Sequence, residues 1–253
     1  MAIALGVVMG TTFGLLGGGG SILTVPIFVY VLGFSPKDAI AMSLAVVGVT
    51  GLVGAAGHWR AGNVNLRVAA VFGSVATIGT YAGARLSVLL SGATQLAIFA
   101  LVMLLAAVFM IRGRRPTAAE PAAAPSRRTT VALVVVEGLA VGLLTGVVGV
   151  GGGFLIVPAL VLLALPMREA VGTSLAIIAT NCAVGFYGYL GQVSLDWRAV
   201  ALVAGGTIPG MALGVYLHQL VPQHALRRGF AVFLLVVGVF ILYENLATVL
   251  AAL

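Results

Sequence analysis

Two stretches of this chain are nearly the same: residues 17–26 read GGGGSILTVP, and residues 149–158 read GVGGGFLIVP. Each lies inside a long apolar segment, where every glycine weakens an α-helix by about 1 kcal/mol relative to alanine. Glycine also permits positive φ angles, and proline fits well at the start of a following helix. The pair therefore predicts two interrupted helices. Broken segments at corresponding places of a membrane chain are typical of secondary transporters, which bind substrate near mid-bilayer between the breaks.

The composition is that of an integral membrane protein. Of the 253 residues, 61% are hydrophobic and 8% are charged, and the mean hydropathy is +1.20. A soluble domain carries roughly 25% charged residues. The length allows about eight spans of about 20 residues each. We therefore predict an all-α, multi-pass protein with the lipid bilayer as its surroundings.

The charges and the single cysteine exclude several classes of protein. The net charge of +7 comes mostly from arginines in loops and in the centre of the chain, where such residues orient a membrane protein. Aromatic residues do not alternate with them as on a nucleic-acid-binding surface. Cys182 alone can form neither an intrachain disulfide nor a thiolate metal site, and the glycine runs lack the continuation of a P-loop. We expect no enzyme activity, no cofactor, no metal and no nucleic-acid partner.

A polar linker divides the chain. Residues 113–130, GRRPTAAEPAAAPSRRTT, have no apolar period and separate a first repeat at 1–112 from a second at 131–253. We expect this linker to be cytoplasmic. The apolar segments are 2–32, 38–57, 66–90, 94–111, 131–165, 169–190, 199–220 and 226–250. The first and fifth are too long for one span and contain the glycine runs, so each repeat should hold a Gly-broken helix or hairpin and about three transmembrane helices.

The halves match beyond the glycines. Pro26 pairs with Pro158 at an offset of 132. At an offset of 131 the matches include Ser43 with Ser174, Thr50 with Asn181, Gly54 with Gly185 and Gly83 with Gly214. The ordered set indicates an internal duplication over nearly the whole chain.

Basic residues help to decide how the two long segments cross the bilayer. If each is a single span, the linker arginines share a side with Arg60, Arg67 and Arg198, and the basic residues split eight against five. If each folds back at its glycines, the split is ten against three, with Lys37, Arg85 and Arg198 opposite the linker. Two tight full spans per segment give the same orientation as the hairpin. The positive-inside rule favours the second split, in which the repeats are inverted and both termini face away from the cytoplasm.

An anion site is the expected product of such breaks. A helix that begins after a glycine turn directs free N–H groups and a partial positive charge at its N-terminus. The predicted substrate-binding residues in the breaks are Gly18, Gly19, Gly20, Ser21, Gly151, Gly152 and Gly153, and those on the following apolar segments are Ser43, Thr50, Ser174 and Asn181. Close helix packing is the alternative role of a glycine, and it suffices for Gly79, Gly83, Gly205, Gly206, Gly210 and Gly214. Interhelical hydrogen bonding is the alternative for each Ser and Thr.

Three further residues are candidates for proton coupling or gating. His58 ends the second apolar segment and titrates near neutral pH, although a histidine there is also an ordinary interfacial residue. Glu137 is an intramembrane acid unless its helix begins several residues earlier. Arg85 either draws anions into an outer vestibule or extends to the headgroups.

The paired glycine–proline stretches, together with residues 39–44 (AIAMSL) and 170–175 (AVGTSL), resemble the sulfite exporter TauE/SafE family. The likeness covers both halves and leaves out the linker. It implies a bacterial inner-membrane secondary transporter for sulfur-containing anions, such as sulfite or the organosulfonate sulfoacetate, with protons as the candidate coupling ion. One repeat would rock against the other around the central site. The competing interpretations are an integral membrane enzyme and an assembly scaffold, and the packing glycines permit a homodimer.

Overall fold

The computed structural model describes residues 1–16, 21–112, 127–149, 152–162, 165–191, 193–220 and 223–250. These residues form helices and connecting turns, without a strand among them. The helices are α1 (Ala2–Leu16), α2 (Thr24–Pro26), α3 (Pro36–Arg60), α4 (Leu66–Leu86), α5 (Gly92–Arg112), α6 (Arg127–Val148), α7 (Gly153–Leu162), α8 (Met167–Tyr189), α9 (Trp197–Leu220) and α10 (Gln223–Leu250). A 3₁₀ turn at 21–23 precedes α2, and a π-helical turn, Ile27–Val31, follows it. The prediction of an all-α protein is confirmed.

Local sequence signals set the starts of the long helices. Ser35 is extended, accepts a hydrogen bond from the Asp38 N–H at 3.3 Å and precedes Pro36, so it caps α3. The Asn65 side chain caps α4 by accepting from the Val68 N–H at 3.1 Å. Ser35 and Asn65 both lie in short connections between apolar helices.

Four of the described helices are long and apolar enough to cross a membrane: Pro36–Arg60, Leu66–Leu89, Glu169–Tyr189 and Trp197–Leu217. Shorter apolar helices are Ala2–Gly14, Ser21–Val31, Gly92–Val108, Val135–Val148 and Ala231–Glu244. Exposed leucines, valines and isoleucines occur along most of these helices, as expected for surfaces that face lipid. The chain is a multi-pass membrane protein.

Helices α3 and α8 pack together in the middle of the structure and run antiparallel. On α3, Gly48 faces Cys182 of α8, and Gly51 faces Ile178. One turn farther along α3, Gly54 faces Leu175. The facing residue numbers fall as the α3 numbers rise, which is the signature of an antiparallel pair.

Glycines bring two other helix pairs into backbone contact. Gly6, Gly10 and Gly14 on α1 lie against the carbonyls of Val203, Thr207 and Met211 on α9, and Gly142 and Gly146 on α6 lie against those of Ala76 and Thr80 on α4. The facing numbers rise together, so both pairs are parallel. A Cβ atom at any of these glycines would collide with the partner backbone. Small residues are what such close approach requires.

The packing role assigned to several other glycines is confirmed. Gly79 and Gly83 face Leu139 and Leu143 of α6, and Gly206 and Gly210 face Ile3 and Val7 of α1. These glycines are thus occupied within the chain and offer no surface to a second copy. Gly205 is exposed and packs against no neighbouring helix within the described residues, because none of their atoms lies within 4 Å of a Cβ built there.

Two segment boundaries differ from those read from the sequence. Helix α6 begins at Arg127, so the last four residues of the predicted linker are helical. The long segment 131–165 divides into α6, which ends at Val148, and α7, which begins at Gly153. Residues 113–126 of the linker lie outside the described residues.

Candidate functional site

The second glycine stretch interrupts its helix as predicted. Gly149 and Gly152 have φ angles of 74° and 69°, in the left-handed region that favours glycine. The Gly149 N–H still donates to the Thr145 carbonyl at 2.8 Å, and this bond ends α6. The Gly152 carbonyl then accepts from the Leu155 and Ile156 N–H groups at 2.9 Å, which starts α7. Gly152 and Gly153 are buried.

The first stretch is described only on its two sides. Helix α1 extends to Leu16, and beyond the undescribed residues Ser21 lies in the helical turn at 21–23, with its side chain 2% exposed. The predicted binding residues Gly18, Gly19 and Gly20 lie outside the described residues, as does Gly151 in the second stretch. Of the predicted binding residues in the first stretch, Ser21 lies within the described part of the chain, in the apolar helical segment Ser21–Val31.

A small internal cavity lies beside Ser21. Its volume is about 10 Å³, and its polar lining residues are Ser21, Thr24, Thr50 and Thr207. The Thr50 and Thr207 hydroxyl oxygens are 2.7 Å apart, and each hydroxyl also bonds a carbonyl of its own helix at 2.8 Å. A cavity of this size holds about one water molecule. An anion larger than water needs more room than this cavity offers.

Ser43 links α3 to the second break. Its hydroxyl donates to the Gly149 carbonyl and lies 2.9 Å from the carbonyl of Ile40. A Cβ atom on Gly149 would collide with the Ile40 side chain and lie 2.9 Å from the Ile40 carbonyl oxygen. The break is thus held against α3 by a polar contact and by tight packing.

The equivalent residues in the second repeat make different contacts. The Ser174 hydroxyl donates to the Val171 carbonyl at 2.8 Å within α8. The Asn181 Oδ1 accepts from the Thr77 hydroxyl of α4 at 2.9 Å, while the Asn181 Nδ2 is buried and has no hydrogen-bond partner in the described part of the chain. The two copies of the duplicated pattern are therefore chemically unlike.

The structure brings some of the predicted residues together and separates others. Ser21 and Thr50 line one cavity, whereas Gly149 contacts α3 at Ile40 and Ser43. Ser43 and Thr50 are seven residues apart, or about 10 Å along a helix. The described parts of the two breaks thus contact α3 at positions about two helical turns apart.

The three coupling or gating candidates lie away from this cavity. His58 is half-buried in the last turn of α3, near Gly172 of α8. Arg85 is exposed in the last turn of α4, where its Nε donates to the Tyr81 hydroxyl at 3.2 Å and its guanidinium lies 5.5 Å from the Tyr81 ring centre. Glu137 is half-buried in the middle of α6, and its Oε2 is buried without a hydrogen-bond partner among the described residues.

Sequence reasoning missed Thr207 and Thr77, which partner Thr50 and Asn181 from the facing helices. It also missed a buried contact at the end of α6. There the Tyr189 hydroxyl donates to the Gly146 and Val147 carbonyls at 3.0 and 3.2 Å, and Gln95 approaches both Tyr189 and Val147. A glutamine in an apolar segment was the available signal.

Comparison with known proteins agrees on one group. The family described as sulfite exporter TauE/SafE matches residues 2–241. A probable membrane transporter protein of Xylella fastidiosa (strain 9a5c) is 34% identical over 99% of this chain and 97% of its own length. Probable membrane transporter protein YdhB of Bacillus subtilis (strain 168) is 25% identical over 93% of this chain and 96% of its own length. No solved structure matches.

Proposed function

This chain belongs to the sulfite exporter TauE/SafE family of membrane transporters, and from that premise we propose that it carries small sulfur-containing anions across the bacterial inner membrane. The proposed cargo is sulfite or an organosulfonate such as sulfoacetate. The transporter class rests on the family and on the similarity to probable membrane transporters over nearly the whole chain. The cargo and the cycle are the proposal.

Helix directions support inverted repeats. Helices α3 and α8 hold corresponding positions in the two halves of the chain, and they run antiparallel. Corresponding helices of inverted repeats must point in opposite directions. The two-fold operation that relates inverted repeats would also superpose the α1–α9 pair on the α6–α4 pair. Consistent with this, both pairs are parallel.

Two hydrogen bonds between connections favour the same arrangement. The Ser194 N–H, after α8, donates to Asp38 at the start of α3 at 2.9 Å. The Asn65 N–H, before α4, donates to the Thr173 hydroxyl near the start of α8 at 2.9 Å. Single-span long segments would put Asp38 and Ser194 on opposite sides of the membrane, whereas folded-back segments put them on the same side. The hydrogen bonds therefore support the arrangement with ten basic residues on the linker side.

The observation that carries the anion site is the position of Ser21. It lies in the helical segment Ser21–Val31, directly after the glycine run in sequence, is buried, and shares a cavity with the hydroxyls of Thr50 and Thr207. Helix N-termini and hydroxyl groups are donors for oxyanions. We place the substrate among the two breaks (Gly18, Gly19, Gly20, Ser21, Gly151, Gly152, Gly153) and the side chains of Ser43, Thr50, Ser174 and Asn181.

The small cavity suits a closed step of an alternating-access cycle. Rocking of one repeat against the other would open the crevice between α1, α3 and α9 to one side. A membrane potential that is negative inside would drive each exported negative charge by about 2.3 kcal/mol per 100 mV. Protons are the candidate coupling ion, with His58 and Glu137 as the residues to test.

Transport by the purified full chain in liposomes tests the proposal. Vesicles loaded with ³⁵S-labelled sulfoacetate or sulfite, under a potassium–valinomycin potential, should lose label faster than protein-free vesicles, and unlabelled sulfite should compete. Helicity measured by circular dichroism establishes that the protein is folded. Folded protein that moves neither sulfite, sulfoacetate, thiosulfate nor sulfate would contradict the proposal, and label recovered in a new compound would favour an enzyme.

A further inference from the structure

We infer that the second repeat contains its own anion-binding half-site, in which the side-chain amide of Asn181 is the donor. The inference rests on the proposed function and says which group Asn181 contributes to it. Asn181 is 0% exposed, and its Nδ2 has no hydrogen-bond partner among the residues that the structure describes. A buried donor without an acceptor is costly, and native structures rarely keep one without a reason.

Thr77 fixes the direction of this amide. Its hydroxyl donates to the Asn181 Oδ1 at 2.9 Å, which occupies the acceptor side of the amide. The two N–H bonds of Nδ2 are then the groups left over. Because Thr77 is on α4 and Asn181 is on α8, this amide lies at the contact between these two helices.

The surroundings of Asn181 correspond to those of the cavity beside Ser21, because equivalent glycines make equivalent contacts in the two repeats. Gly10 of α1 lies against Thr207 of α9. In the other repeat, Gly142 of α6 (offset 132 from Gly10) lies against Ala76 of α4 (offset 131 from Thr207). The same offset of 131 takes Thr50 to Asn181. Asn181 therefore holds, between α4, α6 and α8, the place that Thr50 holds between α1, α3 and α9.

The difference between the two places is chemical. Thr50 satisfies its hydroxyl with Thr207 and with a carbonyl of its own helix. The Asn181 amide instead has two N–H donors that no described residue accepts. A neutral pair of donors suits an oxygen atom that accepts and carries no proton, such as an oxygen of a sulfonate or of sulfite. A buried water offers the same acceptor, so the test must separate the two.

Replacement of Asn181 by leucine, which has a similar size, is the decisive variant. Thr180→Val is the matched control, because Thr180 is the neighbouring residue and is exposed. We expect Asn181→Leu to raise the KM for sulfoacetate at least tenfold in proteoliposomes and to abolish the rise in thermal midpoint that sulfoacetate gives the wild type. The midpoint without anion should be unchanged or higher, since an unpaired donor is removed. Thr180→Val should match the wild type in all three measurements.

Three outcomes overturn the inference. An unchanged KM with a lower midpoint would make Asn181 only a structural partner of Thr77, and an unchanged KM with a higher midpoint would mean that the amide held a buried water only. If the leucine variant does not fold, Asn181→Thr copies the residue of the first repeat and should raise the KM in the same way; an unchanged KM there also overturns the inference. Wild-type protein that is folded but moves no anion would instead refute the proposed function.

Discussion

The hydroxyl oxygens of Thr50 and Thr207 lie 2.7 Å apart at the wall of a buried cavity. This bond joins α3 of the first repeat to α9 of the second. A movement that opens the crevice between these helices must break it. The bond is therefore a contact that holds α3 and α9 together, and its two hydroxyls are candidate contacts for the anion.

Thr50→Val should weaken the closed form and the binding of substrate together. The isosteric change removes one hydrogen bond, which contributes about 1 kcal/mol to stability. We expect a lower thermal midpoint and a several-fold higher KM in proteoliposomes. Thr12→Val on α1 is the control, because the Thr12 hydroxyl bonds only carbonyls of its own helix at 2.8 and 3.1 Å. An effect of Thr50→Val no larger than that of the control would contradict the assignment.

Gly149→Ala should be far more damaging than the same change at another left-handed glycine. Both Gly149 and Gly62 have positive φ angles, of 74° and 73°. A Cβ on Gly62 meets no atom within 4 Å, whereas one on Gly149 collides with Ile40. Gly62→Ala should cost about 1 kcal/mol of stability from backbone strain alone. Gly149→Ala should lower the thermal midpoint further and stop transport, and equal midpoints for the two variants would refute a role for the tight contact.

The two serines of the duplicated pattern should respond differently to alanine. Ser43→Ala removes the contact with the Gly149 carbonyl in the other repeat and should cost about 1–2 kcal/mol, with slower transport. Ser174→Ala removes a contact with a carbonyl of the same helix and should cost less than about 1 kcal/mol. Denaturant titration of both variants checks this order, and a larger loss for Ser174→Ala would reverse the argument.

Tyr189→Phe should destabilise the carbonyl end of α6. The last carbonyls of a helix lack partners within it, and the Tyr189 hydroxyl satisfies those of Gly146 and Val147. Loss of that hydroxyl should cost about 1–3 kcal/mol. Tyr187→Phe is the control, since Tyr187 lies on the same helix with 63% of its surface exposed. Equal thermal midpoints for the two variants would show that the contact contributes nothing.

Single cysteines can test the inversion of the repeats. Ala61 and Ser194 are exposed residues in equivalent connections, after α3 and after α8. In a Cys182→Ala background, Ala61→Cys should react with an impermeant maleimide only from the cytoplasm, and Ser194→Cys only from the other side. Reaction of both from one side would support parallel repeats, because single-span long segments place both connections with the linker.

The interruption after α6 was predictable because glycine acts locally. A left-handed φ at Gly149 and Gly152 depends on residue type at that position alone. The role of most other glycines in close helix packing was also predictable, because small residues are enriched where two helices approach closely. Gly205 shows the limit, because a small residue on a helix need not face a neighbour.

The cross-helix partners were not predictable, because they depend on which helices are neighbours and in what register. Thr207 and Thr77 look like ordinary threonines within apolar segments. They become partners of Thr50 and Asn181 only once α9 lies beside α3 and α4 lies beside α8. For the same reason, the duplication predicted equivalent positions but not the different hydrogen bonds of Ser43 and Ser174.

Cys182 lies fully buried where α8 faces Gly48 of α3, and it is the chain's one thiol. The wild-type protein therefore carries a natural chemical reporter at the contact between its two halves. A conformation that parts α3 from α8 would uncover this sulfur, and the closed form would shield it. Its alkylation rate, followed by mass spectrometry while an anion gradient is applied, would time the cycle without any engineered label.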